Sequence, residues 1–242
     1  MYEPRTYRRW IIKDKELVSF NVIVKETDLY VRTLTNLQKK TYKLVLKYRS
    51  KLEKFIEQHP DFLTSLEPFL VDANSPDIVK AMSVSAAKVG VGPMAAVAGA
   101  IAEFVGNDLL EFSDEVIIEN GGDIYLKSLR KRVVGIYAGK SPLTGKIGLE
   151  ISEKDTPLGI CTSAGTVGHS LSYGEADAVI VLSKSTALAD AAATAVGNLI
   201  KQQKDIQIGI EFAKGIEGLS GLVIIKDDNI GMWGEVIICE IG

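Results

Sequence analysis

The sequence predicts an α+β fold, built mainly from antiparallel strands with alanine-rich helices buried against them. Three observations lead to this prediction. Short strand-like stretches recur along the chain, two stretches combine high alanine content with almost no charge, and strands and helices do not alternate regularly. The 242 residues are 46% hydrophobic and 24% charged, which is typical of globular proteins. There is no internal repeat or linker, so we expect one domain over residues 1–242.

Residues 1–60 predict a β-meander followed by a basic amphipathic helix. Residues 37–58 place apolar side chains at helical spacing among lysines, and the pattern stops before Pro60. The prolines that follow predict a loop over residues 60–76. The three strand-like stretches of the meander, separated by polar breaks, are RRWII, LVSFNVIVK and LYVRTL.

The remaining chain predicts three more helices and a series of short strands. We expect a helix over residues 76–88, a buried helix over 92–106 and a second alanine-rich helix over 186–203. The uncharged and mainly apolar run Val89 to Ala102 has 14 residues, which is short of the roughly 20 that span a bilayer. The strand candidates are EVIIE, GDIYL, RVVGIYA, KIGLEI, GICTS, ADAVIVLS, GLVIIK and EVIIC.

Charge and composition exclude several classes of function. Residues 1–60 carry a net charge of +7 and the rest of the chain −10, so we expect no nucleic-acid partner. The basic helix favours a solvated face, with an anionic partner as the alternative. Two cysteines and two histidines without ligand spacing exclude a Cys/His zinc site. The charged amino terminus lacks the apolar core of a signal peptide, so we expect a cytoplasmic protein.

The second alanine-rich helix carries a polar stripe. Thr186, Asp190, Thr194 and Asn198 recur every fourth residue and therefore share one face. A solvent-exposed stripe on a core helix is one interpretation. A short carboxylate and a hydroxyl one turn apart are also hard oxygen ligands, so Asp190 and Thr194 are candidates to hold Mg²⁺. The helix start near Ser185 offers free backbone N–H groups to a phosphate.

A glycine pair follows the strand VIIE. Asn120, Gly121, Gly122 and Asp123 form a strong hairpin-turn signal. Two adjacent glycines also let the backbone approach a flat ligand closely, so a binding loop is the alternative. Asp123 serves either as a cap or as a ligand contact.

A loop of small and hydroxylated residues follows the strand GICTS. Thr162, Ser163 and Thr166 offer hydrogen-bond donors and acceptors without bulk, and the glycines Gly165 and Gly168 permit an anion-binding backbone geometry. His169 is either a structural residue or a catalytic one. Because no third partner accompanies Ser163 and His169, the sequence does not predict a hydrolase triad. Cys161, just before the loop, is expected to be a small core residue.

Taken in order, four of these segments resemble the ApbE superfamily of FAD:protein FMN transferases over roughly residues 90–200. The segments are AGAIAE, NGGDI, TSAGTVGH and ADAAAT. The resemblance implies an ApbE-like fold with a pocket for FAD, FMN or a related nucleotide. It also implies that Asp190 and Thr194 hold Mg²⁺ beside a diphosphate, and that Gly121, Gly122 and Asp123 line the flavin pocket.

The chain departs from the family pattern at residues that hold and activate the dinucleotide. The family lysine falls on Ala98, the family aspartate falls on Glu103, and HSLSYGEAD replaces the HxxDPxTG segment. We therefore expect little or no FMN transfer to a protein. A Mg²⁺-dependent transferase or hydrolase acting on a flavin or nucleotide diphosphate is one expectation. The alternatives are a non-catalytic flavin or nucleotide-binding protein and a complex scaffold, with a homo-oligomer or a protein partner.

Overall fold

A large antiparallel sheet forms the centre of the molecule. The structure is a computed structural model and describes residues 16–165 and 174–241. The strands of the large sheet are β1 (Val18–Val24), β2 (Thr27–Thr33), β3 (Val116–Asn120), β4 (Asp123–Lys127), β7 (Leu158–Ser163), β8 (Ala178–Ser183), β9 (Leu219–Lys226) and β10 (Asn229–Gly234). They lie in the order β1-β2-β3-β4-β7-β8-β9-β10, and all neighbouring pairs are antiparallel.

Helices cover one face of this sheet. The α-helices are α1 (Gln38–Gln58), α2 (Asp61–Thr64), α3 (Asp77–Val89), α4 (Val97–Leu109), α5 (Thr186–Leu199) and α6 (Ile206–Lys214). A 3-10 turn over Pro93–Ala96 leads into α4. Almost every residue of α5 is buried, and the helix lies on β7, β8 and α4. The predicted α+β fold with alanine-rich buried helices is therefore confirmed.

A second, smaller sheet packs on the opposite face. Its strands are β5 (Arg132–Gly135), β6 (Ile147–Ile151) and β11 (Ile238–Glu240), in the order β11-β6-β5. The sequence predicted strands in all three regions but not their separate sheet, because hydrophobic periodicity does not identify a strand's partner. The core between the two sheets includes Leu126, Leu149, Ile151, Ile160, Ile180 and Val223.

The helix predicted over residues 186–203 is shorter in the structure. Helix α5 ends at Leu199, and Ile200 is extended with its carbonyl accepting a 2.7 Å hydrogen bond from the Glu175 N–H. The separate helix α6 was not predicted. Its isoleucines at 206, 208 and 210 alternate like those of a strand, although Gly209 and Ala213 complete a buried helical face.

The amino-terminal part of the chain contains a short helix that the sequence did not predict. The segment 60–76 is not entirely a loop, because α2 forms one helical turn around the fully buried Phe62. Of the predicted meander, the second and third stretches form β1 and β2, whereas RRWII lies outside the described residues. The predicted amphipathic helix is α1, and it ends at Gln58 as expected.

Within residues 16–165 and 174–241, no single helix is long and apolar enough to cross a membrane. Helix α3 and the segment Pro93–Leu109 reach the required length and apolarity only as a pair, and they are bent by 107° relative to each other.

Candidate functional site

Residues 120–123 form a tight hairpin turn between β3 and β4. Asn120 pairs with Asp123, and the two central glycines have φ angles of 73° at Gly121 and 106° at Gly122. Glycine adopts these left-handed conformations freely, whereas most other residues are strained in them. The Gly122 N–H also donates a 3.0 Å hydrogen bond to Glu119 Oε1, which stabilises the turn. The predicted hairpin is confirmed.

The hairpin turn is connected to α4, and α4 is connected to α5. Asn120 Nδ2 donates a 3.0 Å hydrogen bond to the Ala98 carbonyl, and the Gly99 N–H donates a 2.8 Å hydrogen bond to Asp190 Oδ2. The adjacent backbone groups of Ala98 and Gly99 therefore join the glycine turn to the acidic residue of α5. The glycine turn and the polar stripe of α5, which the sequence singled out separately, therefore lie together. We call the region formed by residues 120–123, Ala98, Gly99 and Asp190 the junction.

Gly99 allows the two alanine-rich helices to approach closely. A Cβ atom at this position would lie 2.5 Å from the Thr186 carbonyl oxygen and 2.8 Å from Asp190 Cβ. Both separations are far shorter than a van der Waals contact. A side chain at Gly99 would therefore force α4 and α5 apart and lengthen the hydrogen bond to Asp190.

Asp123 and Asp190 form a buried acidic pair at the junction. Only 7% of Asp123 and 9% of Asp190 is exposed. Burial, followed by the neighbouring charge of Asp190, raises the pKa of Asp123 well above its ordinary value. Burial also raises the pKa of Asp190 to about 7, although hydrogen bonds from the backbone of Gly99 and Ala98 favour its charged form. Ionising both carboxyls therefore requires a compensating positive charge.

Cys161 packs beside the acidic pair on β7. It is fully buried, and its Sγ donates a 3.4 Å hydrogen bond to the Thr186 carbonyl. Burial, followed by the charges of Asp123 and Asp190, raises the pKa of the thiol well above its ordinary value. Because the thiolate is the reactive form of cysteine, Cys161 is a poor nucleophile, in agreement with its expected role as a core residue.

Three buried oxygen atoms near the junction have no hydrogen-bond partner within the described part of the chain. They are Asp123 Oδ1, Ser163 Oγ and Thr186 Oγ1. A buried polar atom without a partner costs roughly 1–3 kcal/mol, so such atoms are rare in native proteins. The described residues therefore leave the hydrogen-bonding capacity of Asp123 Oδ1 and Ser163 Oγ unused.

Two more of the predicted site residues lie around this junction. A Cβ atom at Gly122 would lie 3.7 Å from the Thr162 carbonyl oxygen, so the end of β7 runs beside the glycine turn. Thr194 is half-buried and follows Asp190 by one turn of α5. The stripe is therefore not simply a solvent-exposed face, because Thr186 and Asp190 are buried.

The described residues on the two sides of segment 166–173 are hydrogen-bonded to each other. The Gly165 N–H donates a 2.9 Å hydrogen bond to the Ala176 carbonyl. Thr166, a predicted cofactor-binding residue, and His169, the predicted catalytic residue, lie between these positions and outside the described residues.

The expectation that the start of α5 offers free N–H groups to a phosphate is wrong. Glu103 Oε2 accepts a 3.0 Å hydrogen bond from the Ala187 N–H and a 3.3 Å hydrogen bond from Ser185 Oγ. The Leu188 N–H donates to Ser185 Oγ at 3.3 Å. The sequence identified Glu103 only as a departure from the family aspartate. Its contact with α5 spans 84 residues of chain, which no local pattern reveals.

The acidic pair does not by itself form a metal cage. Among the residues that the structure describes, no group of three or more histidine, cysteine, aspartate or glutamate side chains could hold a metal ion. Mg²⁺ commonly uses only one or two protein carboxylates and completes its octahedral shell with water and substrate phosphates. Asp190 and Thr194 would therefore hold Mg²⁺ only together with water and a phosphate ligand.

A shallow groove of about 610 Å³ lies between β1 and α1. Its lining shares no residue with the acidic junction and includes the exposed side chains of Lys39, Tyr42 and Lys43. Lys39 and Lys43 belong to α1, the basic helix for which an anionic partner was one of the two interpretations of the sequence.

A protein-family model described as "AbpE bacteria" matches residues 8–224. The chain belongs to this family. Among its relatives, a UPF0280 protein from Methanococcus aeolicus is 40% identical over 232 residues, which cover 93% of this chain and 91% of the relative. A UPF0280 protein from Methanocella arvoryzae is 44% identical over 193 residues, covering 79% of this chain and 78% of the relative.

Solved structures of ApbE flavin transferases have a fold similar to that of this chain. A mutant of the flavin transferase ApbE from Vibrio cholerae superimposes with a TM-score of 0.58 at 15% identity, covering 90% of this chain and 97% of the other. The apo form of the Pseudomonas stutzeri flavinyl transferase ApbE gives a TM-score of 0.55 at 13% identity, with coverage of 92% and 95%. At these identities the comparison shows a shared fold, and the membership in the ApbE-like superfamily that the sequence predicted is confirmed.

Proposed function

We propose that this AbpE-family chain binds a flavin nucleotide, or a related nucleotide diphosphate, together with Mg²⁺ at the junction of the glycine turn, α4 and α5. The observation that carries the proposal is the buried pair Asp123 and Asp190, in which Asp123 Oδ1 has no hydrogen-bond partner within the described residues. The flavin transferase names of the fold neighbours support the choice of ligand.

The chemistry of the donor atoms supports a magnesium site. Asp190 and Thr194 supply a carboxylate and a hydroxyl from one face of α5, and both are hard oxygen ligands. Burial raises the pKa of both Asp123 and Asp190, so a cation beside them would favour their charged forms. A bound divalent cation would neutralise phosphate charge and orient the leaving group.

The chain's own residues would position the ligand. The glycines of the turn bring backbone close to a flat ring, while Asp123 and Ser163 offer unused hydrogen-bonding atoms to its polar edge. Thr162 and Thr166 would add further polar contacts. His169 is the candidate for proton transfer in this scheme.

We further propose that the chain does not transfer FMN to a protein acceptor. The position of the family lysine holds Ala98, whose side chain carries no charge and whose backbone carbonyl already binds Asn120. Hydrolysis of a nucleotide diphosphate remains available to such a site, and so does ligand binding without turnover. We also propose that the protein is cytoplasmic and forms a single domain.

The proposal is tested by titrating FAD and FMN with the protein and following flavin fluorescence, with Mg²⁺ or with EDTA. We expect saturable binding that Mg²⁺ strengthens. Asp190→Asn should remove the Mg²⁺ dependence, because the amide still accepts from Gly99 but is a poorer metal ligand. Asp205→Asn is the matched control, since Asp205 is a buried carboxylate that accepts backbone N–H groups at another helix start. Absence of flavin binding, or equal Mg²⁺ dependence in both variants, would overturn the proposal.

A further inference from the structure

The two alanine-rich helices cap each other. Asp190 of α5 accepts the Gly99 N–H at the start of α4, at 2.8 Å. Glu103 of α4 accepts the Ala187 N–H at the start of α5, at 3.0 Å. The first N–H groups of a helix have no partner within the helix, so each carboxylate satisfies a group that would otherwise be unpaired. Neither residue is adjacent in sequence to the helix that it caps.

This reciprocal capping fixes α5 against α4 at two points. Glu103 holds the first turn of α5, and Asp190 follows one turn later along the same helix. Between these contacts, the Gly99 backbone packs on the Thr186 carbonyl with no room for a side chain. Sliding or rotating α5 would therefore break the Glu103 hydrogen bonds and displace the Asp190 carboxyl together.

Glu103 itself does not belong to the proposed metal ligands. Its Oε2 accepts from the Ala187 N–H and from Ser185 Oγ, and its hydrogen-bond partners among the described residues belong to the start of α5. These hydrogen bonds connect Glu103 to the Asp190 carboxyl through the position of α5.

We propose that Glu103 is a positioning residue, which sets the location of the Asp190 carboxyl for the divalent cation and nucleotide. This inference rests on the proposed function and adds a residue to it. It also assigns a role to the position at which the chain departs from the family aspartate: the longer glutamate spans the distance from α4 to the first turn of α5.

The test uses Mn²⁺ as the probe in the presence of FAD, because the proposed ion is shared with a phosphate ligand. Electron paramagnetic resonance on the full-length protein, with a protein-free mixture of FAD and Mn²⁺ as the reference, counts free and bound ion. Wild type, Asp190→Asn, Glu103→Ala and Glu103→Gln are compared well below their melting temperatures. Loss of a group that orients a metal ligand commonly weakens metal binding by roughly 10–100-fold, and we expect a loss in this range for Glu103→Ala. Glu103→Gln keeps an acceptor oxygen and should recover much of the affinity.

Asp205→Ala provides the matched control, because it removes a buried helix-capping carboxylate outside the junction. It should lower the melting temperature and leave Mn²⁺ affinity unchanged. Wild-type affinity in Glu103→Ala, or an equal loss in Asp205→Ala, would overturn the positioning role while leaving the proposed function intact. Wild type that binds no Mn²⁺, or binds it as Asp190→Asn does, would overturn the proposed function and this inference with it.

Discussion

At the scale of single residues, the junction depends on side chains whose chemistry is set by burial. Asp123, Cys161 and Asp190 are all buried, and each has a raised pKa because burial disfavours its charged form. The sequence identified the two aspartates, since their spacing from glycine and threonine is visible in a local pattern. The sequence did not show that the two aspartates lie together, because hydrogen bonds between segments far apart in the chain bring them together.

Gly99→Ala tests the close approach of α4 and α5. The added methyl group would lie 2.5 Å from the Thr186 carbonyl oxygen, so we expect a loss of about 1–3 kcal/mol in the free energy of unfolding. Gly215→Ala is the control, because its methyl group would lie 3.4 Å from the nearest atom, the Phe212 carbonyl oxygen. Urea denaturation of the two variants measures the difference. Equal stabilities would contradict the packing described here.

At the scale of elements, local pattern predicted the helices and strands that have strong periodicity. Helix α5 was found because alanine and a polar stripe repeat at helical spacing, and the hairpin between β3 and β4 was found because adjacent glycines favour its turn. Helix α6 was missed because its alternating isoleucines resemble a strand. Strand β10 was missed because it contains two glycines and few buried side chains.

The small sheet is attached to the large one by a buried ion pair. Glu115 lies just before β3, and its carboxylate contacts Arg132 of β5 at 2.7 Å with only 1% of the Glu115 side chain exposed. Burial raises the pKa of Glu115, but hydrogen bonds from Ser128 and Arg132 outweigh this effect and hold the pKa below its ordinary value. The ionised carboxylate therefore stabilises the fold above the ordinary glutamate pKa and loses this contribution as the pH falls.

Glu115→Ala should lower the free energy of unfolding by about 3–5 kcal/mol at neutral pH, since it leaves Arg132 without its buried partner. The difference from wild type should shrink as the pH falls below the ordinary glutamate pKa and through the lowered pKa of Glu115, because wild-type Glu115 then becomes protonated. Denaturation at a series of pH values measures this, with Glu153→Ala as an exposed control. A difference that is constant with pH would show that the ion pair does not account for the stability.

The whole molecule has an ApbE-like fold, whereas the proposed ligand binding depends on the residues at the junction. The order of motifs along the chain was sufficient to predict the family and the mainly antiparallel sheet. The capping of α5 by Glu103 and the separate sheet on the opposite face were not predictable. Both depend on contacts between segments far apart in sequence, which periodicity and turn signals do not report.

The absence of FMN transfer is a prediction about the whole site. With Ala98 in place of a lysine, loss of one positive contact to a partly buried phosphate costs roughly 2–5 kcal/mol, or about 30-fold to several thousand-fold in rate. We expect no covalent flavin on an acceptor domain after incubation with FAD and Mg²⁺, as measured by in-gel fluorescence. Strong labelling that disappears in Asp190→Ala would show that the transfer activity is retained.

The proposed function requires that Asp190 and Thr194 bind a divalent cation shared with a nucleotide diphosphate beside the glycine turn. The most direct test is a crystal structure with FAD and Mn²⁺, in which anomalous scattering locates the metal. We expect one Mn²⁺ peak within about 2.0–2.3 Å of oxygens of Asp190 and Thr194, with the diphosphate contributing to its coordination. A flavin bound elsewhere, or a Mn²⁺ peak without contact to Asp190, would contradict it.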